Sequence, residues 1–205
     1  MIKIACVGDS ITWGFTILSR SKYSYPAVLQ RLCGDVAKVE NFGLNDATAR
    51  LESDRPYARR ITFKRAVDFR PDVVLMMLGS NDSKKINWQE DKFREGYNYI
   101  LDTFLNMGAR AFLLLPPVVL NRIEIREGLQ IGRLEPGFLA LDEDTLSNGV
   151  IPAIRGIASA NALPVIDLHS VVTDISLFND GIHPNRAGAA LMAQTVYDQI
   201  KDAVL

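Results

Sequence analysis

The 205-residue sequence is poor in residues that bind metal ions or form disulfide bonds. It has two histidines, His169 and His183, and two cysteines, Cys6 and Cys33. A metal-dependent hydrolase uses several His and carboxylate ligands, so this small set disfavours a metal centre, and we predict no metal and no cofactor. Cys6 lies in an apolar run and Cys33 near a predicted helix end, as is typical of small buried side chains in a reducing compartment.

Long apolar runs and a leader signal are also missing. No segment approaches the ~18 apolar residues that a membrane-spanning helix requires, which predicts no membrane span. Met1 leads straight into a short apolar strand, without the apolar region and cleavage site of a leader. We therefore expect a cytoplasmic protein, or a secreted or periplasmic one if a leader has been removed.

Neither sign of charge dominates the sequence. Lys and Arg total 23 and Asp and Glu total 24, so there is no overall field to attract nucleic acid, and we predict no nucleic-acid partner. A local surplus lies between Arg50 and Arg70, where basic residues outnumber acidic ones. Such a cluster is usually a solvated helix face, although near an active site it would favour acidic substrates.

Three well-known motifs are absent as well. No serine lies in the G-x-S-x-G elbow of the common α/β-hydrolases. No G-x-G-x-x-G and no G-x-x-x-x-G-K-[ST] follows an apolar run, so the phosphate-cradling loops of nucleotide-binding proteins are missing. These absences disfavour a lipase of the usual α/β-hydrolase type and a nucleotide-binding enzyme.

The sequence does contain an alternation of apolar runs and amphipathic segments. The runs are apolar throughout, which is typical of strands covered on both faces in a parallel sheet. This pattern predicts one α/β domain spanning 1–205, a three-layer α/β/α sandwich around a five-stranded parallel sheet. The predicted strands are 2–7, 36–42, 73–78, 111–115 and 163–166, and the predicted helices are 25–32, 56–69, 92–107, 150–161 and 186–203.

Polar residues and a glycine follow the first three predicted strands. Ser10 comes after the first strand, Gly43 after the second, and Asn81 and Asp82 after the third. Since the carboxyl ends of parallel strands meet at one edge of the sheet, these loops are expected to converge. Each signal alone also fits a helix cap or a turn, so it is the joint placement that indicates a site.

Convergence of these loops would suit acyl transfer. Ser10 Oγ would attack an ester carbonyl while fixed donors stabilise the charge on the carbonyl oxygen. We predict an oxyanion hole formed by the backbone N–H groups of Ser10 and Gly43 and by the side-chain amide of Asn81.

Residues next to these loops are the predicted substrate-binding residues. They are Asp9, Asp82 and Trp13. Trp13 and Trp88 lie just beyond the first and third loops, where an aromatic ring could stack on a sugar. Packing in or at the rim of the core is the alternative for both rings.

The base and its orienting carboxylate are expected in a loop near the C-terminus. Asp180 and His183 are three residues apart, and a turn there would bring the carboxylate to one imidazole nitrogen and leave the other for Ser10. We predict Ser10, His183 and Asp180 as the catalytic residues. The alternative is that Asp180 caps the last helix. His169, after the fifth strand, is the competing base, although its apolar neighbours favour a packed position.

Four sequence blocks carry a family resemblance. The blocks are Gly8-Asp9-Ser10-Ile11-Thr12, Asn41-Phe42-Gly43, Leu78-Gly79-Ser80-Asn81-Asp82 and Asp180-Gly181-Ile182-His183-Pro184. In this order, across nearly the whole chain, they resemble the SGNH hydrolases, also called GDSL-like lipases and acylhydrolases. The resemblance implies a flavodoxin-like sheet, a metal-independent esterase reaction, and the catalytic and oxyanion roles given above.

A finer resemblance and one departure stand beside these blocks. Residues 78–88 and 178–192 resemble the carbohydrate-esterase side of the superfamily, which includes enzymes that deacetylate sialic acids or xylans. After Gly43, however, Leu44-Asn45-Asp46 stands where many relatives have a small or glycine residue. The second loop is therefore the part expected to differ in shape.

The segment 118–144 has no clear periodicity. A loop of this length is often a lid or a binding loop. We hypothesise that it walls the acyl or leaving-group pocket, or forms a homodimer contact. A short helix packed on the domain is the alternative.

Together these features predict a serine esterase that acts on a small-molecule acyl ester. It would remove short acyl groups, with acetyl favoured, from a carbohydrate or a similar polar substrate through an acyl-enzyme intermediate. The alternatives are a longer-chain lipase or thioesterase on the same scaffold, and a non-catalytic flavodoxin-like binding module.

Overall fold

The computed structural model of the protein describes residues 1–120 and 140–204. The strands within these residues are β1 (Ile2–Gly8), β2 (Ala37–Gly43), β3 (Val73–Met77), β4 (Arg110–Leu115) and β5 (Val165–Asp167). They form one parallel sheet in the order β2-β1-β3-β4-β5. This is the flavodoxin-like order, in which a site forms at the carboxyl ends of β1 and β3, where the strand order reverses.

Helices cover both faces of the sheet. They are α1 (Ser10–Trp13), α2 (Arg20–Tyr23), α3 (Tyr25–Cys33), α4 (Ile61–Asp68), α5 (Glu90–Leu105), α6 (Glu143–Thr145), α7 (Ile151–Ala160) and α8 (Arg186–Val204). Turns of 3-10 helix lie at Gly34–Val36, Tyr57–Arg59, Asn81–Ser83 and Ile175–Leu177, and a π-helical turn, Leu146–Val150, joins α6 to α7. Helices α3 and α8 pack on one face of the sheet, and α4, α5 and α7 pack on the other. The predicted three-layer α/β/α sandwich is confirmed.

The three central strands, β1, β3 and β4, are largely apolar on both sides because both sides are buried. In β1, Ala5 and Val7 face the core under α4, α5 and α7, whereas Ile4 and Cys6 face the core under α3 and α8. All four side chains are fully buried. Successive side chains of a strand point to opposite faces, so a doubly covered strand has no position for an exposed polar residue.

The predicted helix over 56–69 is two elements in the structure. A 3-10 turn over 57–59 is followed by Arg60, which is extended at φ −107° and ψ 151°, before α4 begins. The Tyr57 hydroxyl donates a 2.7 Å hydrogen bond to Phe42 O at the end of β2. This bond fixes the turn against the neighbouring strand, and the extended residue separates it from the helix.

Three further predictions can be compared with the fold. Cys6 and Cys33 are buried free thiols, and burial raises the pKa of both, as expected of packed side chains. None of the described helices combines the length and the apolar character that crossing a membrane requires. Of the segment 118–144, residues 121–139 lie outside the described residues, so its role as a lid or homodimer contact stays a prediction.

Candidate active site

Strand β1 delivers Ser10 to the carboxyl edge of the sheet. Asp9 is the N-cap of α1, and its Oδ1 accepts a hydrogen bond from the Ile11 N–H at 2.9 Å. A glycine is needed at position 8, because a Cβ on Gly8 would lie 2.6 Å from the carbonyl oxygen of Met77. Ser10 keeps 8% of its surface exposed, whereas Asp9 is fully buried.

The loop before α8 brings Asp180 and His183 together. Asp180 Oδ1 accepts hydrogen bonds from the backbone N–H groups of Ile182 at 3.0 Å and His183 at 2.7 Å. Gly181 between them has φ +82°, in the left-handed region that favours glycine. Asn179 N–H donates to His183 O at 2.9 Å and closes the loop. The carboxylate therefore organises the turn that carries the imidazole.

Distant parts of the chain meet at Ser10 and His183. Ser10 Oγ lies 2.9 Å from His183 Nε2, and His183 Nδ1 lies 2.7 Å from Asp180 Oδ2. An ionised carboxylate only accepts hydrogen bonds, so Nδ1 carries the hydrogen of the neutral imidazole. Nε2 is then left to accept the hydrogen of the Ser10 hydroxyl, which is the arrangement that turns a serine into a nucleophile.

Hydrogen bonding keeps Asp180 ionised. Burial alone raises the pKa of this carboxyl, but hydrogen bonds from the His183 ring and from the backbone N–H groups of His183 and Ile182 outweigh burial. They hold the pKa of Asp180 below its usual value. The resulting negative charge stabilises an imidazolium at His183.

An aromatic ring that the sequence analysis did not single out covers the imidazole. The ring centroid of Phe15 lies 4.8 Å from that of His183, with 59° between the ring planes, and Phe15 is 42% exposed. Phe15 N–H donates to Ser10 O at 2.9 Å, because α1 is one turn long and returns the chain towards the nucleophile. The available signal was the position of this residue directly after the short helix that carries Ser10.

Gly43 lies beside α1, but its N–H already has a partner. It donates to Asn41 Oδ1 at 2.8 Å. A Cβ at position 43 would lie 2.1 Å from the backbone nitrogen of Trp13, so this glycine allows β2 to approach α1 closely. The predicted oxyanion role of Gly43 is not supported, because a donor bound to Asn41 is not available to a substrate oxygen.

The turn that follows β2 offers a different backbone donor. Asp46 is exposed and has φ +61°, and its N–H has no partner among residues 1–120 and 140–204. Leu44 N–H donates to Gly8 O at 3.0 Å, and Asn81 Nδ2 donates to Ala47 O at 3.2 Å. The turn is therefore fixed between the end of β1 and the loop after β3.

Asn81 lies in the 3-10 turn after β3 and is almost completely buried. Its Nδ2 uses one hydrogen on Ala47 O, and its backbone O accepts a hydrogen bond from Asn87 Nδ2 at 2.9 Å. A primary amide has two hydrogens. The second hydrogen of Asn81 has no partner within the described chain and is left for a ligand.

Asp9 and Asp82 lie beneath the site. Both are fully buried, and Asp82 accepts 2.9 Å hydrogen bonds from the backbone N–H groups of Ala49 and Arg50. Burial raises the pKa of Asp9 to about 6 and that of Asp82 to about 7, because the N–H groups offset only part of the lost hydration. Neither side chain can touch a substrate here, so both are withdrawn from the predicted substrate-binding set and hold the loops instead.

The two tryptophans have different surroundings. Trp13 is half-buried, with the Arg20 guanidinium 3.9 Å from its ring centroid, and it lines a cavity of about 560 Å³ together with Phe15. Trp88 packs against Phe93 at the edge of the core, with 5.6 Å between ring centroids. The sugar-stacking prediction therefore stays open for Trp13, and Trp88 fits the packing alternative.

His169, the competing base, belongs to a separate cluster. Its Nδ1 lies 3.1 Å from Pro116 O, and its Nε2 lies 3.3 Å from Ser147 Oγ and 3.4 Å from Glu143 Oε1. Ser10 is therefore served by His183. In the part of the chain that the structure describes, no group of three or more His, Cys, Asp or Glu side chains is placed to hold a metal ion.

Comparison with known proteins identifies the family. The model of the GDSL-like Lipase/Acylhydrolase family matches residues 6–191. The chain belongs to this family. The resemblance carried by the four sequence blocks is thereby confirmed.

Individual members of the GDSL-like family are similar to this chain. An acetylxylan esterase of Xylanibacter ruminicola is 33% identical over 214 residues, which cover 98% of the chain and 43% of that relative, so the chain spans less than half of the relative's length. The structure of an aryl esterase from M. smegmatis has a TM-score of 0.78 at 19% identity and covers 100% of both chains. A carbohydrate acetylesterase family member from Sinorhizobium meliloti has a TM-score of 0.72 at 22% identity and covers 98% of both chains. At these identities the two structures show the fold.

Proposed function

We propose that this GDSL-like protein hydrolyses short acyl esters, with acetyl favoured, of a carbohydrate or a similar polar alcohol. The observation that carries the proposal is the hydrogen-bonded series from Ser10 Oγ through the His183 imidazole to Asp180 Oδ2. The 33% identity to an acetylxylan esterase supports the acetyl group and the carbohydrate.

The reaction proceeds in two steps through an acyl-enzyme. Ser10 Oγ attacks the ester carbonyl as its hydrogen passes to His183 Nε2, and the imidazolium, stabilised by Asp180, then gives that proton to the leaving alcohol. In the second step a water molecule gives a proton to Nε2 and attacks the acyl carbon. The carboxylic acid leaves, and Ser10 Oγ takes the proton back.

Three donors are proposed for the oxyanion. They are the backbone N–H of Ser10 at the start of α1, the side-chain amide of Asn81, and the backbone N–H of Asp46 in place of that of Gly43. The first helical N–H groups have no partner within their helix, so the Ser10 N–H is available. Loss of one such donor typically lowers kcat by a factor of about 10²–10³.

Labelling with an organophosphonate tests the proposal directly. We expect one phosphonyl group per protein molecule on Ser10 Oγ, hydrolysis of p-nitrophenyl acetate before labelling, and loss of both in His183→Ala. A folded protein that neither reacts with the phosphonate nor hydrolyses any ester would instead be a binding module.

Exposed apolar side chains next to His183 support a second candidate, an esterase for longer or aromatic acyl groups. Phe15 is 42% exposed and Leu18 is 80% exposed in the same loop. A series of p-nitrophenyl esters separates the candidates, because a pocket discriminates acyl chains by their length. A sharp fall in kcat/KM beyond about two to four carbons supports the short-acyl proposal, and a rise with chain length supports the second candidate.

A further inference from the structure

We propose that the carbohydrate bears carboxylates and that a basic groove beside His183 binds it. This inference rests on the proposed function and adds the charge of the substrate to it. The basic groove consists of two adjoining cavities. Its main lining residues are Trp13, Phe15, Arg20, Lys22, Arg31 and Asn41.

The two cavities share two lining residues, and one of them is lined by the aromatic ring that contacts His183. The first, of about 560 Å³, begins at Phe15, whose ring contacts His183, and reaches Arg20. The second, of about 490 Å³, shares Arg20 and Ser21 with the first and continues to Arg31. A pocket for one drug-sized ligand has about 300–1,000 Å³. Each cavity therefore has the volume of a site for one small ligand.

The charge of the basic groove is positive and largely uncompensated. Arg20, Lys22 and Arg31 are exposed, and none of them forms an ion pair with a carboxylate of the described residues. Glu40 also lines the groove, but its Oε1 pairs with Lys38 Nζ at 3.1 Å. Because the whole protein has a formal charge of −1, this local excess is a property of the groove.

The stacking of Arg20 on Trp13 favours a carboxylate as the bound group. The guanidinium carbon lies 3.9 Å from the ring centroid, so the aromatic face limits the motion of the side chain. A guanidinium held in this way presents its N–H groups as a planar fork, which matches the two oxygens of a carboxylate. Nucleic acid is also anionic, but it carries no acyl ester for Ser10 to attack, so an acidic glycan fits both the charge and the chemistry.

The wall of the groove is fixed to the loop that carries the base. Asn179 Nδ2 donates to Thr16 Oγ1 at 2.8 Å, and Arg186 Nη2 donates to Leu18 O at 3.3 Å. Thr16 and Ser19 have φ of +68° and +57°, conformations that non-glycine residues keep only where the surrounding structure holds them. A glycan bound in the groove is therefore held at a fixed distance from His183.

A matched pair of substrates tests the inference. We compare kcat/KM for two acetylated oligosaccharides of equal length, one with a uronic acid next to the acetylated sugar and one neutral. The wild type is expected to prefer the acidic substrate about four- to tenfold at low salt, and added salt should reduce the preference. The double variant Arg20→Gln/Lys22→Gln should bring the ratio close to one. Arg20→Lys should keep part of it.

The control is Arg59→Gln, which removes an exposed arginine of the 3-10 turn outside the groove and should leave the ratio unchanged. A wild-type ratio near one, or an equal ratio in the double variant, overturns the inference. Calorimetry of Ser10→Ala with the deacetylated acidic oligosaccharide tests the groove without turnover. Binding that the double variant loses, in a protein that hydrolyses no ester, would uphold the groove and refute the proposed function. Tighter binding of a polynucleotide than of the acidic oligosaccharide would refute the inference that the groove binds a glycan.

Discussion

The two histidines each lie beside a serine and a carboxylate, but the order of the atoms differs. At the first cluster the His183 imidazole lies between its partners, with Nε2 towards Ser10 and Nδ1 towards Asp180. At the second, the Nε2 atom of His169 faces both the serine and the carboxylate. A proton relay needs the base in the middle, so the first cluster alone has the geometry for it.

The second cluster links α6 to the segment after β4 and to the loop after β5. Ser147 Oγ donates its hydrogen to Glu143 Oε1 at 2.6 Å, so that hydrogen is committed to the carboxylate. Glu143 Oε2 also accepts the N–H of Val119 and ties α6 to the segment after β4. The comparison teaches that the same three residue types form either the geometry of a proton relay or a structural cluster, according to which of them occupies the central position.

Substitution of the serine in each cluster should give the largest difference in kcat between the two clusters. Ser10→Ala should lower kcat by about 10⁴–10⁶, because only the oxyanion donors and substrate binding remain. Ser147→Ala should keep most of kcat. Both variants are compared by initial rates on p-nitrophenyl acetate, with circular dichroism to verify folding. A Ser10→Ala enzyme as active as the Ser147→Ala enzyme would contradict the assignment.

Substitution of the two carboxylates, Asp180 and Glu143, should also lower kcat in the first cluster only. The loss of kcat should be somewhat smaller than for Ser10→Ala. Asp180→Asn should lower kcat by about 10⁴, since an amide no longer fixes the imidazole tautomer. Glu143→Gln should retain kcat and lower the free energy of unfolding by about 1–3 kcal/mol, because the Ser147 hydroxyl and the Val119 N–H lose a charged acceptor. Urea unfolding and kcat are measured on both variants. A large loss of kcat with unchanged stability in Glu143→Gln would argue against a structural role.

A third carboxylate, that of Asp82, should make the free energy of unfolding depend on pH. Its pKa is raised to about 7 by burial, so between about pH 4 and 7 the native state binds more protons than the unfolded state. The stability that this group contributes is full below about pH 4 and is lost as the pH rises through 7, by at most about 1.4 kcal/mol per pH unit. In Asp82→Asn the free energy of unfolding should therefore fall less between pH 4 and 7 than in the wild type. Parallel curves from urea titrations would contradict this.

The sequence was sufficient for the sheet and for the partners of Ser10. The predicted strands lie within two residues of the observed ones. For the central strands β1, β3 and β4 the reason is that a mostly apolar run is hard to place anywhere but in a doubly covered strand. His183 and Asp180 were identifiable because the sequence has only two histidines, and one of them follows a carboxylate by three residues in a segment that contains glycine.

The residues that line the site were less predictable, because a loop residue of a given type can face either the protein interior or a ligand. Asp9 and Asp82 bind backbone N–H groups, and their sequence context is the same as that of a ligand-binding carboxylate. Gly43 permits the close approach of the Trp13 backbone, whereas we predicted its N–H as an oxyanion donor. The sequence shows that Asp46 stands where many relatives have a small or glycine residue. Its left-handed backbone and its N–H, which has no partner among the described residues, depend on the packing of three loops. No local pattern encodes such packing.

The hydrogen bond between Ser10 and His183 joins residues 173 positions apart, and α8 directly after the base packs against α3. During synthesis on the ribosome, the loop with the hydroxyl therefore emerges 173 residues before the imidazole. Under the proposed function, a nascent chain lacks the base that activates its nucleophile until both loops have emerged and met.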